Sequence, residues 1–377
     1  MDECIVIIGS YINACSIVWA LHKINYTNEI YIIEPHEAKT LCMAEVLLHN
    51  VHVIKTEVSD DSQIIEIINN NIPAEKWKRI FFTSEEFIEP IRLAIQSNAL
   101  IHATACTGSG IDNDLIFDRF KFYKFIEGLG HNCTPKTICS DEDPNSVLGE
   151  SYIVRVNKTW DGIAKLPRLQ IVNSIAEKEA FENQLLSQGL TRDMWSYQEL
   201  LSVSDEHNVS VCGWFDNEFQ QFVVTRKVMQ HPPKTGNGDV VEVFLKAPRY
   251  IVEVTEDILQ ALKYSGPFEM EFVYDNNSQQ YKVIELNPRF WMQHGLVDEV
   301  TDGAMIKRAV GYDNIIPIGY NDVKYGVWVN GNRVVYHLLK GNIKILKYIC
   351  IGSLYPSFMG TLKWMFYYSK YKKALNR

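Results

Sequence analysis

Short apolar runs alternate with amphipathic stretches along the first hundred residues of the chain. The apolar runs span residues 4–8, 30–33, 51–54 and 80–83, and the helix-like stretches span residues 14–23, 38–48, 64–70 and 85–96. Such alternation predicts a parallel sheet with helices on its faces. Gly9 follows the first run but supplies only the first glycine of a GxGxxG motif, so an ordinary strand-to-helix turn is favoured over a dinucleotide site.

The pattern changes near Asp114. Residues 117–130 predict a helix that ends at Gly130, shortly before Pro135. A strand over residues 151–156, a helix over 176–187 and a strand over 195–200 follow. From residue 209 to 286 strand-like stretches dominate, interrupted by a Pro/Gly loop at 231–238 and a helix over 255–264. This order predicts an α/β part followed by an α+β part.

Residues 266–291, GPFEMEFVYDNNSQQYKVIELNPRFW, predict two strands joined by a polar turn at 275–280. Period-two alternation assigns one face to apolar side chains, which are Phe268, Met270, Phe272, Tyr274, Ile284 and Leu286. It assigns the other face to Glu271, Glu285 and Asn287. If the apolar sets cover one core, paired residue numbers sum to an even value and the loop holds an odd number of residues.

Two carboxylates and an amide oxygen on one face form a set of hard oxygen donors, which suits Mg²⁺ or Mn²⁺ and not zinc. Mg²⁺ usually keeps water and phosphate ligands, so three protein ligands indicate a polyphosphate partner. A solvated sheet face with incidental acidic residues is the alternative. Arg289, two residues after Asn287, favours the metal site, because a cation there would stabilise charge on a transferred phosphoryl group.

Charge and cysteine content narrow the class of protein. The 377 residues include 37 basic and 46 acidic residues, a net charge of −9, which argues against a nucleic-acid partner. Residues 331–377 hold nine basic and no acidic residues, so the first 330 residues hold 28 basic and 46 acidic ones, a net charge of −18. The eight cysteines show no CxxC or zinc-like spacing and no signal peptide precedes them, so we expect reduced cysteines in a cytoplasmic protein.

The run Glu285-Leu286-Asn287-Pro288-Arg289, with Glu271 in the preceding strand, closely resembles the metal-binding hairpin of ATP-grasp enzymes. The resemblance extends over about residues 1–310 and includes the helix entry at Asp118-Arg119. It implies ATP and Mg²⁺ (or Mn²⁺) as cofactors. Glu271, Glu285 and Asn287 are then the implied metal ligands, and Arg289 is the implied catalytic cation.

The same resemblance implies roles for other residues. Arg155 and Lys165 would reach the phosphates of ATP, and Asp205 or Glu206 would bind the ribose hydroxyls. A hinge strand would read adenine through Gln198, Glu199, Leu200 and Leu201. Arg226 would be a second catalytic cation, in a basic strand end that binds phosphate or carboxylate. Its neighbour Lys227 is equally consistent with a surface ion pair.

Two features depart from the usual pattern of the family. Arg155 stands where most members have lysine, which keeps the charge but changes the geometry of a phosphate contact. The loop over residues 157–162 contains one glycine where many members have a glycine-rich flap. His294 follows the hairpin and could be catalytic, although a histidine beside a buried aromatic residue more often has a structural role.

The resemblance implies four parts: a Rossmann-like pre-ATP-grasp domain (1–105), a small ATP-grasp subdomain (106–200), a metal- and ATP-binding subdomain (201–320) and a basic, mostly helical C-terminal segment (321–377). Within the superfamily, the chain looks most like the carbamoyl-phosphate-synthase-like and D-aspartate-ligase-like carboxylate-amine ligases. Such an enzyme would form an amide through an acyl phosphate and release ADP and phosphate. Phosphotransfer without ligation and a non-catalytic nucleotide sensor are the alternatives.

The partners stay open at this stage. A carboxylate and an amine are expected, such as an amino acid with a sugar-acid or lipid-linked acceptor, and a homodimer is a further option. The C-terminal segment mixes lysines with apolar and aromatic residues but is too interrupted for a transmembrane helix. A pair of helices packed on the acidic body is the favoured interpretation. Peripheral contact with the inner face of the membrane is the alternative.

Overall fold

A computed structural model describes residues 2–9, 11–35, 50–56, 58, 63–107, 113–158, 168–203, 208–231 and 236–355. These residues form three β-sheets with accompanying helices, so the mixed α/β class predicted from the sequence is confirmed. The helix predicted over residues 38–48 lies outside the described residues, as do Lys165, Asp205 and Glu206.

The first sheet has five parallel strands in the order β3-β2-β1-β4-β5. The strands are β1 (Glu3–Ile8), β2 (Ile30–Glu34), β3 (Val51–Lys55), β4 (Trp77–Phe82) and β5 (Ala103–Cys106), and the helices are α1 (Tyr11–Lys23), α2 (Gln63–Asn71) and α3 (Ile88–Gln96). Ile5 and Ile7 of β1 belong to one apolar core, whereas Val6 and Ile8 belong to another. Burial on both faces explains why the apolar runs are continuous.

Four antiparallel strands form the second sheet, in the order β6-β9-β7-β8. The strands are β6 (Thr137–Cys139), β7 (Tyr152–Val156), β8 (Leu169–Val172) and β9 (Trp195–Glu199), and the helices are α4 (Asn113–Phe117), α5 (Arg119–Gly128), α6 (Pro144–Leu148) and α7 (Ile175–Ser187). Asp118 caps α5, because its carboxylate accepts the backbone N–H of Lys121 at 2.9 Å. The helix predicted over residues 117–130 therefore begins at Arg119.

The third sheet has seven strands in the order β14-β13-β10-β11-β12-β15-β16. The strands are β10 (Asn208–Phe215), β11 (Gln220–His231), β12 (Asn237–Val243), β13 (Gly266–Asp275), β14 (Gln280–Asn287), β15 (Val327–Asn330) and β16 (Ser353–Tyr355), and the helices are α8 (Arg249–Ala261), α9 (His294–Val300) and α10 (Ala304–Ala309). The helix predicted over residues 255–264 is α8, which begins earlier, directly after Pro248, and ends at Ala261.

The two faces of the seven-stranded sheet pack against different partners. One face contributes Cys212 and Val223 to the core that also holds Ile5 and Ile7 of the first sheet. The other face contributes Val211 to the core formed with α5 and α8. Because side chains alternate along a strand, each polar residue of this sheet can be assigned to one of the two faces.

The described part of the C-terminal segment holds the short helices α11 (Val334–Leu339) and α12 (Ile345–Ile351) as well as strands β15 and β16. β15 pairs with β12, so the predicted boundary at residue 320 runs through the seven-stranded sheet. None of the helices in the described ranges is long and apolar enough to cross a bilayer.

Candidate active site

The hairpin of β13 and β14 places the three predicted metal ligands on one face. Glu271 lies opposite Glu285, and Asn287 lies opposite Glu269, so the paired numbers sum to 556 at this end of the hairpin. A β-bulge at Ile284 then shifts the register, and Phe272 pairs with Val283. The predicted even sum is therefore correct at the site.

The predicted odd loop length is wrong, because four residues, 276–279, join the paired ends of the strands. The extra residue of the bulge restores the even sum at Glu271 and Glu285, although the loop holds an even number of residues. It also places Val283 in the same apolar core as Leu286, whereas Ile284 is only partly buried. The prediction that Ile284 shares the buried face with Leu286 is corrected accordingly.

The bulge leaves the backbone carbonyl of Ile284 available to side chains of α5. Arg119 donates its Nη1–H to this oxygen at 2.5 Å, and Tyr123 donates its hydroxyl at 2.9 Å. Arg119 also forms an ion pair with the carboxylate of Glu285. Helix α5 is thereby fixed against the hairpin, and a guanidinium group is held beside a predicted metal ligand.

Each of the two opposed glutamates has its own cation. Lys227 of β11 places Nζ 2.9 Å from Oε2 of Glu271, and Arg119 pairs with Glu285. Two carboxylates directly opposite each other on neighbouring strands repel, so these cations stabilise the arrangement. Burial raises the pKa of Glu285, but the charges of Arg119, Lys227 and Arg289 outweigh it and lower the pKa to about 2.

Glu269 is a third buried carboxyl group on the same face. Its side chain accepts hydrogen bonds from Ser210 Oγ at 3.1 Å and from Asn287 Nδ2 at 3.1 Å. Burial and the nearby charge of Glu271 raise the pKa of Glu269 to about 8. The group therefore holds its proton at neutral pH, which reduces the repulsion among the carboxyl groups.

Replacing Glu269 with glutamine should weaken the pH dependence of stability. Folded Glu269 keeps its proton up to about pH 8, whereas an ordinary glutamate loses it near 4.5, so its contribution to the free energy of unfolding falls as pH rises between these values. Urea denaturation across this range should show a smaller decline for Glu269→Gln than for the wild type. Glu253→Gln, an exposed change on α8, is the control, and equal declines in all three proteins would contradict the assignment.

Arg289 joins the hairpin to the first sheet. Its Nε–H donates to Oε1 of Glu85, which follows β4, at 3.1 Å, and Nη2 donates to Oδ1 of Asn287 at 3.3 Å. A cavity of about 230 Å³ lies beside these groups. Its lining residues are Thr83, Ser84, Glu85, Arg119, Arg168, Glu285, Asn287 and Arg289. The cavity is therefore polar and carries both signs of charge.

The second sheet presents buried polar atoms without partners. Arg155 lies opposite Ser196, and Gln198 lies two residues further along β9, so the three side chains share one face. Arg155 Nε, Ser196 Oγ and Gln198 Oε1 are buried and lack a hydrogen-bond partner within the described residues. Burial lowers the pKa of Arg155, and the charge of Arg119 adds to this effect. Such groups fit a polar, anionic ligand like ATP.

The residues of the predicted hinge lie at the end of β9 and just after it. Glu199 is tied to the loop before β6, because its carboxylate accepts the backbone N–H of Lys136 at 2.7 Å. Leu200 and Leu201 follow the strand, and Leu200 is 40% exposed. Lys165 and Asp205 lie outside the described residues, so the structure places neither of them.

Arg226 is not brought together with the other predicted residues. It lies opposite Glu242 on β12, and its Nη2 is 2.6 Å from Oε1 of that residue. Its guanidinium carbon also lies 5.0 Å from the ring centroid of Phe244. Lys227, the next residue, points to the opposite face and meets Glu271. The placement favours Lys227 over Arg226 as the cation of the site.

His294 has a structural environment. Its side chain is fully buried, and Nε2 lies 3.2 Å from the backbone oxygen of Asn13 in α1. The rings of Phe290 and Trp291 contact it edge to face. These contacts connect α9 to the first sheet's helix layer, in agreement with the structural interpretation of this histidine.

Sequence reasoning missed Arg119, Glu85 and Glu269. Arg119 offered one local signal, because arginine at the first position of a helix faces the positive end of the helix dipole and needs an anionic partner. Glu269 also offered a signal, because it lies two residues before Glu271 and period-two alternation gives the two the same face. Glu85 offered no signal, since its partner Arg289 lies 204 residues away in the sequence.

Three solved structures show the same architecture over most of their length. N5-carboxyaminoimidazole synthetase from Staphylococcus aureus aligns with a TM-score of 0.66 and 16% identity, covering 91% of this chain and 87% of that one. Biotin carboxylase from Campylobacter jejuni aligns with a TM-score of 0.63 and 13% identity, covering 87% of this chain and 75% of that one. L-amino acid ligase from Bacillus licheniformis aligns with a TM-score of 0.59 and 12% identity, covering 85% of this chain and 76% of that one. These likenesses establish the fold.

The fold and the hairpin site resemble those of ATP-grasp enzymes, in agreement with the resemblance inferred from the sequence. Residues 199–313, which include the hairpin, match the family model of the carbamoyl-phosphate synthase L chain, ATP binding domain. No curated protein sequence matches the chain. ATP-grasp ligases use ATP and a divalent metal ion, and the donor set of Glu271, Glu285 and Asn287 fits such an ion.

Proposed function

We propose that the protein is an ATP-dependent carboxylate-amine ligase that releases ADP and phosphate. The observation that carries the proposal is the gathering of two opposed glutamates, an asparagine and the cations Arg119, Lys227 and Arg289. Of these, Glu285, Asn287, Arg119 and Arg289 line one polar cavity. Mg²⁺, or Mn²⁺, would be held by Glu271, Glu285 and Asn287. The family match and the ligase fold of the structural neighbours support a ligase.

The reaction needs activation because a carboxylate is a poor electrophile. ATP supplies a phosphoryl group to the substrate carboxylate, and the resulting acyl phosphate loses phosphate when the amine nitrogen attacks its carbonyl carbon. Arg289 lies at the cavity and would neutralise charge on the transferring group. Arg119 and Arg155 would bind phosphate oxygens. The low pKa of Glu285 keeps this ligand ionised at every physiological pH.

The four-part division of the chain is also proposed. The first sheet (residues 3–106), the second sheet (137–199) and strands β10 to β14 of the third sheet (208–287) support the first three parts, whereas β15 and β16 belong to the C-terminal segment. The cavity supports a substrate-binding role for the first part, since Thr83, Ser84 and Glu85 line it. The carboxylate and amine would then meet between the first and third sheets.

A screen for ADP release tests the function. Purified protein with ATP and Mg²⁺ is offered amino acids alone, and sugar acids paired with amino acids. ADP release that requires both an acid and an amine supports ligation. Release with the acid alone would indicate phosphotransfer, and ATP binding without ADP release from any pair would indicate a nucleotide sensor. Either of those results would replace the proposal.

Replacing Glu85 with glutamine should lower kcat about tenfold while leaving the KM for ATP within about threefold of the wild type. The change keeps a hydrogen-bond acceptor but removes the charge that orients Arg289 towards the cavity. Steady-state kinetics of ADP release measures both constants. Glu89→Gln on α3, which removes an exposed ion pair with Arg92, is the matched control. An unchanged kcat in Glu85→Gln would show that Arg289 needs no such support.

A further inference from the structure

The helices α11 and α12 expose a series of apolar side chains. We call these residues the C-terminal apolar surface: Val335, Leu338, Leu339, Ile343, Leu346 and Ile351. Leu339 is 83% exposed and Ile343 is 71% exposed, whereas Ile345 is fully buried and holds α12 against the sheet. Val335, Leu338 and Leu339 stand at positions i, i+3 and i+4 of α11 and therefore share one face of that helix. An exposed apolar face favours an interaction site.

Lysines accompany these apolar side chains. Lys340, Lys344 and Lys347 are exposed, and within the described ranges no carboxylate forms an ion pair with any of them. The sequence from residue 331 to 377 contains nine basic and no acidic residues. The surface therefore combines apolar side chains with uncompensated positive charge.

We propose that the C-terminal apolar surface docks peripherally onto a bilayer of anionic lipids. The apolar side chains would enter the headgroup region, and the lysines would contact lipid phosphates, since anionic membranes attract such segments. Isologous contact with a second copy is disfavoured, because it would bring the same lysines together. Packing onto the acidic body is the interpretation favoured from the sequence, and Ile345 does pack α12 against the sheet. Among the described residues, however, Lys340, Lys344 and Lys347 form no ion pair with a carboxylate, so the exposed side of the two helices is left for the bilayer.

Vesicle cosedimentation with the full chain tests the proposal. Vesicles of phosphatidylcholine with about one third phosphatidylglycerol should bind the protein, and pure phosphatidylcholine should not. Replacing Lys340, Lys344 and Lys347 with glutamine should weaken binding about a hundredfold. Leu339→Ser with Ile343→Ser should weaken it at least about tenfold. Absence of binding to anionic vesicles would overturn the proposal.

Matched controls distinguish binding through the C-terminal apolar surface from binding that depends only on total positive charge or total exposed apolar area. Glutamine at Lys246, Lys263 and Lys324 removes the same charge from exposed sites elsewhere. Leu93→Ser with Leu186→Ser removes exposed apolar side chains from α3 and α7. Both controls should bind like the wild type, and equal weakening in test and control variants would contradict the assignment. A dimer in light scattering that Leu339→Ser with Ile343→Ser dissociates would assign the surface to a second copy instead.

The inference is independent of the ligase proposal. ADP release is measured without vesicles, and the variants of α11 and α12 lie outside the candidate active site. For the lysine and apolar variants of α11 and α12, we expect weaker vesicle binding and unchanged ADP release.

Discussion

Glu285→Gln is expected to lower kcat for ADP release by at least about 10²-fold. Glutamine keeps the shape of the side chain but removes the charge that a divalent ion needs, and it leaves Glu271 and Asn287 as the remaining donors. The activity that remains should require a higher Mg²⁺ concentration than the wild type. Titration of Mg²⁺ at saturating ATP measures this shift, and wild-type rates in the variant would remove the metal role.

The same substitution should lower stability without unfolding the protein. Arg119 loses its ion-pair partner but keeps its hydrogen bond to the Ile284 carbonyl, and Glu285 is 28% exposed. The expected loss in the free energy of unfolding is about 2 kcal/mol, below the 3–5 kcal/mol typical of a fully buried pair. Circular dichroism and urea denaturation check this result, with Glu253→Gln as the exposed control.

The ligand face of the hairpin could be predicted because local alternation determines it. Glu271, Glu285 and Asn287 needed only the period of a strand and the assumption of a shared core. The bulge at Ile284 had a visible sign, since adjacent Val283 and Ile284 break the alternation of apolar residues. An interruption of that kind predicts a change of register once the partner strand is known.

The cations of the site could not be predicted in the same way. Arg119 lies 166 residues from Glu285 in the sequence, and Lys227 lies 44 residues from Glu271. Their contacts depend on the packing of separate elements, which no local pattern encodes. A basic pair such as Arg226-Lys227 shows that two residues face opposite ways, but the face that meets Glu271 depends on how β10 pairs with both β11 and β13.

Lys227→Met is expected to lower kcat by about 10²-fold, whereas Arg226→Met should change it by less than about threefold. Methionine keeps an unbranched side chain of similar length and removes only the charge. Lys227 is 15% exposed and pairs with Glu271. Burial alone would lower the pKa of Lys227, but the charges of Glu271 and Glu269 raise it above its usual value. The site therefore depends on this cation.

Arg226 gives the opposite expectation because it lies on the other face of β11. Its side chain is 41% exposed and paired with Glu242, so its loss should cost at most about 1 kcal/mol of stability and little activity. The measurements are kcat, the KM for ATP and the free energy of unfolding in urea for both variants. They compare the roles of two adjacent positive charges in one strand. A large kcat loss in Arg226→Met with a near-normal Lys227→Met would reverse the assignment. It would place the reacting groups on the face that packs against α5 and α8.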